Sequence, residues 1–259
     1  MRLHNVWKQA FIAAVGVYCM NSGVALAAGQ TAVKNVVLVH GAWADGSSWA
    51  KVIPLLEKRG LHVVAVQNPL SSLADDVAAA KRAIDAQDGP VVLVGHSYGG
   101  AVITAAGNNP KVSRLVFVAA FAPDVGEAVG TTAKDFAPPP VGPEVQPIAD
   151  GYLILTNKGV AEDFAQDLPS GEKQLLAATQ GPTSGSVFGA PISEAAWRHK
   201  PSWYVVAEHD RMINPDYERF AAKRMGAKTL TLPTSHVPML SKPEEVAAFI
   251  AEAAAANGS

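Results

Sequence analysis

Apolar residues in this chain gather into short continuous runs rather than alternating with polar ones. Val36-Val37-Leu38-Val39, Val63-Val64-Ala65-Val66, Val91-Val92-Leu93-Val94, Leu115 to Ala120, Ser202 to Ala207 and Thr229 to Leu232 are such runs. Each is bounded by turn residues and predicts a strand covered on both faces. Between them lie helical patterns. Ser48 is placed to cap a helix through Leu55-Leu56-Glu57-Lys58 that Gly60 stops, and Leu73 to Ala86 carries its charges on one face. Gly99 to Ala106, Pro215 to about Met225 and Pro243 to Ala256 follow, with both prolines at first-turn positions. Strands alternating with helices at this spacing predict an α/β domain with a parallel sheet.

The alternation breaks from Ala122 to about Lys200. This stretch holds many of the prolines and the aromatics Phe136, Tyr152, Phe164, Phe188 and Trp197. It is expected to form a small helical cap over the carboxyl edge of the sheet, with Phe136, Phe188 and Trp197 either lining a pocket or filling the cap's own core.

The first residues do not fit the pattern. Arg2 and Lys8 precede the apolar stretch Ala10 to Tyr18, and Ala25-Leu26-Ala27 offers the small residues of a cleavage site. Residues 1–27 therefore read as a signal peptide, too short in its apolar part to span a bilayer, and residues 28–259 as one exported domain, periplasmic or secreted. Cys19, the only cysteine, lies in this leader, so the mature domain is expected to hold no disulfide and no cysteine metal site. Hydrophobic residues make up 49% of the chain, enough for a large core, and the net charge of −2 gives no reason to expect nucleic acid or an anionic membrane as partner.

Candidate chemistry begins at Gly95-His96-Ser97-Tyr98-Gly99, between a strand pattern and a helix pattern. A serine in such a strand-to-helix turn is a nucleophile elbow. Its hydroxyl needs a base. Of the seven histidines, His236 lies in the loop between the last strand and the last helix, the position required by the order serine, acid, histidine. His40 and His96 sit beside glycines in tight loops and are expected to hydrogen-bond backbone. Asp210, after the strand ending at Ala207, is the favoured acid. Asp124, after the strand ending at Ala120, is the alternative. The oxyanion hole is expected from the backbone N–H groups of Tyr98 and of Ala42 in the loop His40 to Gly46.

Val39-His40-Gly41-Ala42-Trp43, Gly95 to Gly100, Ala119-Ala120-Phe121-Ala122-Pro123-Asp124 and His236-Val237-Pro238-Met239-Leu240 together resemble the α/β-hydrolase superfamily, most closely its plant methylesterase and hydroxynitrile-lyase branch. The resemblance implies cofactor-free and metal-free chemistry on a small-molecule ester. Few residues precede Val36, so the usual leading hairpin is not expected and the sheet should have about six strands. Two other functions stand beside ester hydrolysis: lyase-type C–C cleavage on the same triad, and ligand binding without catalysis. Lyases of this branch have a threonine where this chain has Gly41 and a lysine where it has Val237; both departures favour the esterase.

Overall fold

The computed structural model describes residues 33–256; the expected signal peptide, with Cys19, lies outside them. Six strands form one parallel sheet in the order β2-β1-β3-β4-β8-β9. They are β1 (Asn35–Val39), β2 (His62–Ala65), β3 (Val91–Ser97), β4 (Val112–Ala120), β8 (Ser202–Ala207) and β9 (Lys228–Leu232). The central strands β1, β3 and β8 are buried at every residue, and β4 at all but Ser113. That is why they read as unbroken apolar runs: helices cover both faces and leave no polar side. The edge strand β2 is only partly covered, and β9 exposes Lys228, Thr229 and Thr231 and buries only Leu232.

Helices Leu73–Asp85, Gly99–Ala106, Pro215–Arg224 and Pro243–Ala255 stand where the sequence pattern puts them. Ser48 does not cap the first helix. It lies in a 3-10 turn, Gly46–Trp49, capped by the Asp45 side chain, which accepts the Ser47 N–H at 2.6 Å. The helix proper, Ile53–Glu57, is short and carries Pro54 in its first turn, where the ring is tolerated.

The segment between β4 and β8 differs most from expectation. Instead of helices alone it contains a three-stranded antiparallel sheet of β5 (Val145–Pro147), β6 (Tyr152–Leu155) and β7 (Thr183–Ser184). These strands are too short to show a period of two, and Pro147 ends the first of them. A helix, Ser170–Thr179, buries none of its residues fully, and a π-helical turn, Val160–Phe164, buries Val160, Asp163 and Phe164. The chain has rejoined the main body before residue 200, where the Trp197 indole donates to the Pro123 carbonyl at 3.1 Å.

The strand order places the site. From β1 the chain moves outward to β2, then crosses back so that β3 lies on the other side of β1. Loops leaving β1 and β3 therefore diverge, and the crevice between them at the carboxyl edge is where open α/β sheets bind ligands.

Candidate active site

Ser97 ends β3 with φ +53°, in the left-handed region that a side chain rarely adopts. The turn is held by close backbone approach. A Cβ on Gly99 would lie 2.7 Å from the carbonyl oxygens of both Val39 and His40, and one on Gly95 would lie 2.5 Å from the Gly99 carbonyl oxygen. Only glycine lets the elbow helix press this closely on β1. Ser97 is nearly buried, and its carbonyl accepts the Phe121 N–H at 3.1 Å, tying the elbow to the loop after β4.

His236 and Asp210 meet in a buried pair. His236 Nδ1 donates to Asp210 Oδ2 at 2.6 Å, both side chains being fully buried. Asp210 Oδ1 accepts the N–H groups of Met212 at 2.7 Å and Ile213 at 2.9 Å, so three donors converge on one carboxylate. With its proton on Nδ1, the ring presents a lone pair at Nε2, the atom a serine hydroxyl would address. Nε2 is buried and takes part in no hydrogen bond among the described residues. The Ser97–His236 hydrogen bond is thus not made in this resting geometry.

Asp124 is engaged elsewhere. Arg198 Nε and Nη2 donate to its two oxygens at 2.6 and 2.8 Å. The acid that reaches the histidine is Asp210.

His96 and His40 bond to backbone, as their sequence contexts suggest, and both bonds bear on the site. His96 Nε2 donates to the His236 carbonyl at 2.8 Å, joining the residue before Ser97 to the loop that holds His236. Burial drives the His96 pKa well below its ordinary value, with the His236 charge adding to it. His40 Nε2 accepts the Asn68 N–H at 2.9 Å, which leaves Nδ1 to donate to the Gly41 carbonyl at 2.8 Å. The Gly41 carbonyl and the Ala42 N–H belong to one planar trans peptide and point in opposite directions. His40 therefore fixes the direction of the Ala42 N–H. No hydrogen bond among the described residues takes up the N–H of Ala42 or of Tyr98.

Aromatic side chains surround these groups. Phe164, from the π-helical turn, packs edge-on to His236 at 5.3 Å between ring centroids. Phe188 lies 5.6 Å from Trp43 and 6.1 Å from Tyr98, beside the loop after β1. Phe136 instead packs on Tyr217 and Phe220 and borders an apolar cavity of about 340 Å³ with Phe121, Met212 and Ile213. Trp197 belongs to the body of the fold. The sequence reading did not single out Asp76, Thr183 or Glu218. All three are buried polar residues: Thr183 accepts the Trp43 N–H, Asp76 accepts the Tyr98 hydroxyl and Glu218 faces Asp210. No cluster of three histidine, cysteine or acidic side chains able to hold a metal occurs among the described residues.

Residues 36–249 match the model of the alpha/beta hydrolase family. The chain belongs to this family. It is 26% identical to Methylesterase 8 of Arabidopsis thaliana, over 82% of this chain and 86% of that one. It is 30% identical to a pyrethroid hydrolase of Sphingobium wenxiniae, over 85% and 87% of the two chains. Among solved structures, a pyrethroid hydrolase superposes with a TM-score of 0.74 at 26% identity, covering 86% of this chain and 98% of that one. Polyneuridine aldehyde esterase shares the fold, with a TM-score of 0.73 at 22% identity.

Proposed function

We propose that this chain is an exported serine hydrolase that cleaves small carboxylic esters through an acyl-enzyme. Family membership and relatives named as methylesterase and pyrethroid hydrolase support ester hydrolysis. The observation that carries the residue roles is the buried His236–Asp210 pair at 2.6 Å, which keeps Nε2 free for the Ser97 proton. In the first half-reaction His236 accepts that proton while Ser97 Oγ attacks the ester carbonyl. The oxyanion is received by the N–H groups of Ala42 and Tyr98. His236 then hands its proton to the departing alcohol, leaving an acyl group on Ser97. Water enters, loses a proton to His236, attacks the acyl carbonyl and releases the acid, and the proton returns to Ser97. Asp210 remains ionised throughout and stabilises the imidazolium.

Gly41 and Val237, at the positions where lyases of the resembling branch carry threonine and lysine, favour the ester reaction over cyanohydrin cleavage. The deciding experiment offers purified protein p-nitrophenyl acetate and butyrate with a chelator present. Hydrolysis lost in Ser97→Ala, with an acyl mass on the Ser97 peptide, is the expected result; activity should fall as acyl chains lengthen. Cyanohydrin cleavage without ester hydrolysis would overturn the reading. Export, with residues 1–27 removed after Ala27, is part of the proposal, and a retained Met1 in protein from its native compartment contradicts it.

A further inference from the structure

We propose that the two-residue strand β7 clamps both halves of the oxyanion hole, with Thr183 and Asp76 as positioning residues. This rests on the assignment of Ala42 and Tyr98 as oxyanion donors.

One arm reaches the Ala42 side. Trp43, the next residue, has φ +53°, a conformation that a bulky side chain adopts only when its surroundings hold it there. Its N–H donates to Thr183 Oγ1 at 3.0 Å, and its indole Nε1 donates to the Leu153 carbonyl of β6 at 3.1 Å. Thr183 is fully buried, so no water stands ready to replace its hydroxyl. Thus the Gly41–Ala42 peptide is aimed by His40 on one side, and the Ala42–Trp43 peptide is pinned by Thr183 on the other.

The second arm starts one residue later and reaches Tyr98. The Ser184 N–H donates to the Leu70 carbonyl at 2.8 Å. Leu70 is also held in the left-handed region, at φ +57°, and its N–H donates to Asp76 Oδ1 at 2.8 Å. Asp76 Oδ2 accepts the Tyr98 hydroxyl at 2.7 Å. Asp76 is fully buried and Tyr98 is 1% exposed. Burial raises the Asp76 pKa, and the Tyr98 hydroxyl opposes that rise, as expected of a donor that stabilises the carboxylate. Phe188, shortly after β7, touches Trp43 and Tyr98 and bridges the two arms.

Oxyanion donors act only when fixed where charge develops, so loosening them weakens the transition state and leaves ground-state binding nearly untouched. The test uses Thr183→Val, which removes the acceptor while conserving shape, Thr183→Ser, which keeps it, and Tyr98→Phe. Each is assayed on p-nitrophenyl butyrate and with a trifluoromethyl ketone, whose adduct on Ser97 places a negative oxygen in the hole. Thr183→Val and Tyr98→Phe should each lower kcat about tenfold, leave KM within about twofold, and weaken the ketone by the same factor as kcat. Thr183→Ser should keep the wild-type kcat, which a purely packing role for the threonine methyl would not allow. Unchanged kcat in folded Tyr98→Phe and Thr183→Val overturns the clamp while leaving ester hydrolysis standing. If Thr183→Val fails to fold, Tyr98→Phe with Thr183→Ser decides. A wild-type protein that hydrolyses no ester overturns both readings.

Discussion

Arg198 holds Asp124 through two charge-assisted hydrogen bonds, while His236 bonds to Asp210. Those bonds hold the Asp124 carboxyl below its ordinary pKa, the Arg198 hydrogen bonding being the largest cause. The pair lies at the surface, with the Arg198 side chain 57% exposed, so its loss should cost at most about 1 kcal/mol. Asp124→Asn is expected to leave kcat/KM within about twofold of wild type. Asp210→Asn replaces an acceptor of the His236 Nδ1 proton with an amide that can stabilise the wrong tautomer. It should lower kcat by roughly 10³ to 10⁴. Steady-state kinetics on the two folded variants checks the pair, and the reverse ranking would show Asp124 to be the working acid.

Glu218 lies beneath the same acid. It is fully buried, its Oε2 accepts the Ala207 N–H at 2.9 Å, and its carboxyl faces Asp210, to which the protonated acid donates. Burial, then the Asp210 charge, pushes its pKa well above 4.5. The folded protein therefore keeps this proton while the unfolded chain releases it, so Glu218 lowers stability progressively as pH rises above about 4.5 toward the folded pKa. Glu218→Gln cannot lose a proton and still accepts the Ala207 N–H. It should retain wild-type kcat and melt at or above the wild-type temperature at pH 8, the difference vanishing in acid. Glu218→Ala strands a buried N–H and opens a cavity, a loss of about 2 to 4 kcal/mol. Melting curves of both variants from pH 4 to 8 are the check.

His40 and His96 give stability the opposite slope. Burial lowers both pKa values below 6.5. As pH falls through that value the unfolded chain binds protons that the folded protein refuses. Their contribution is whole above about pH 6.5 and is lost below it, by at most ~1.4 kcal/mol per pH unit for each histidine. Urea unfolding at pH 8 and 5.5 should show a smaller acid loss in His96→Asn than in wild type. Equal losses would mean that His96 takes up its proton in the folded state.

The main sheet was legible because burial on both faces writes itself as unbroken apolar runs, as in Val91 to Val94. The places of Ser97 and His236 in the fold were legible because an elbow needs glycines at fixed offsets and the histidine stands in the loop after the last strand. Asp210 could be preferred over Asp124 but not separated from it, since both follow strand ends; the contacts that tell them apart, His236 on Asp210 and Arg198 on Asp124, join residues far apart in sequence. The β5–β6–β7 sheet was hidden by strands shorter than any period. Asp76 did leave a trace. It shares the buried stripe Leu73, Asp76, Ala80, Ile84, and an acid on the apolar face of a helix is a group that must find a buried partner. Thr183 left none, because its partner Trp43 depends on how the segment after β4 folds back over β1.

Gly41 stands against Ser97, with no room for a side chain between them. A Cβ added there would lie 2.7 Å from Ser97 Cβ, 3.0 Å from the His96 carbonyl oxygen and 3.2 Å from Ser97 Oγ. No side chain tolerates the first of these distances, so either the nucleophile or the oxyanion loop must shift. The clash falls on the strained elbow rather than on the hydrophobic core, and Gly41→Ala should fold. Moving the Ser97 side chain relative to the Ala42 and Tyr98 N–H groups removes stabilisation present only in the transition state, typically about 3 kcal/mol for one donor. Gly41→Ala is therefore expected to lower kcat on p-nitrophenyl butyrate by roughly 10² or more, with KM little changed. Gly41→Thr adds a larger side chain at the same point. It should lose ester hydrolysis without gaining cyanohydrin cleavage, because Val237 offers no ammonium to receive cyanide. Gly41→Ala with wild-type kcat would show that the elbow has room to move, and would remove the steric basis for reading this glycine as an esterase feature.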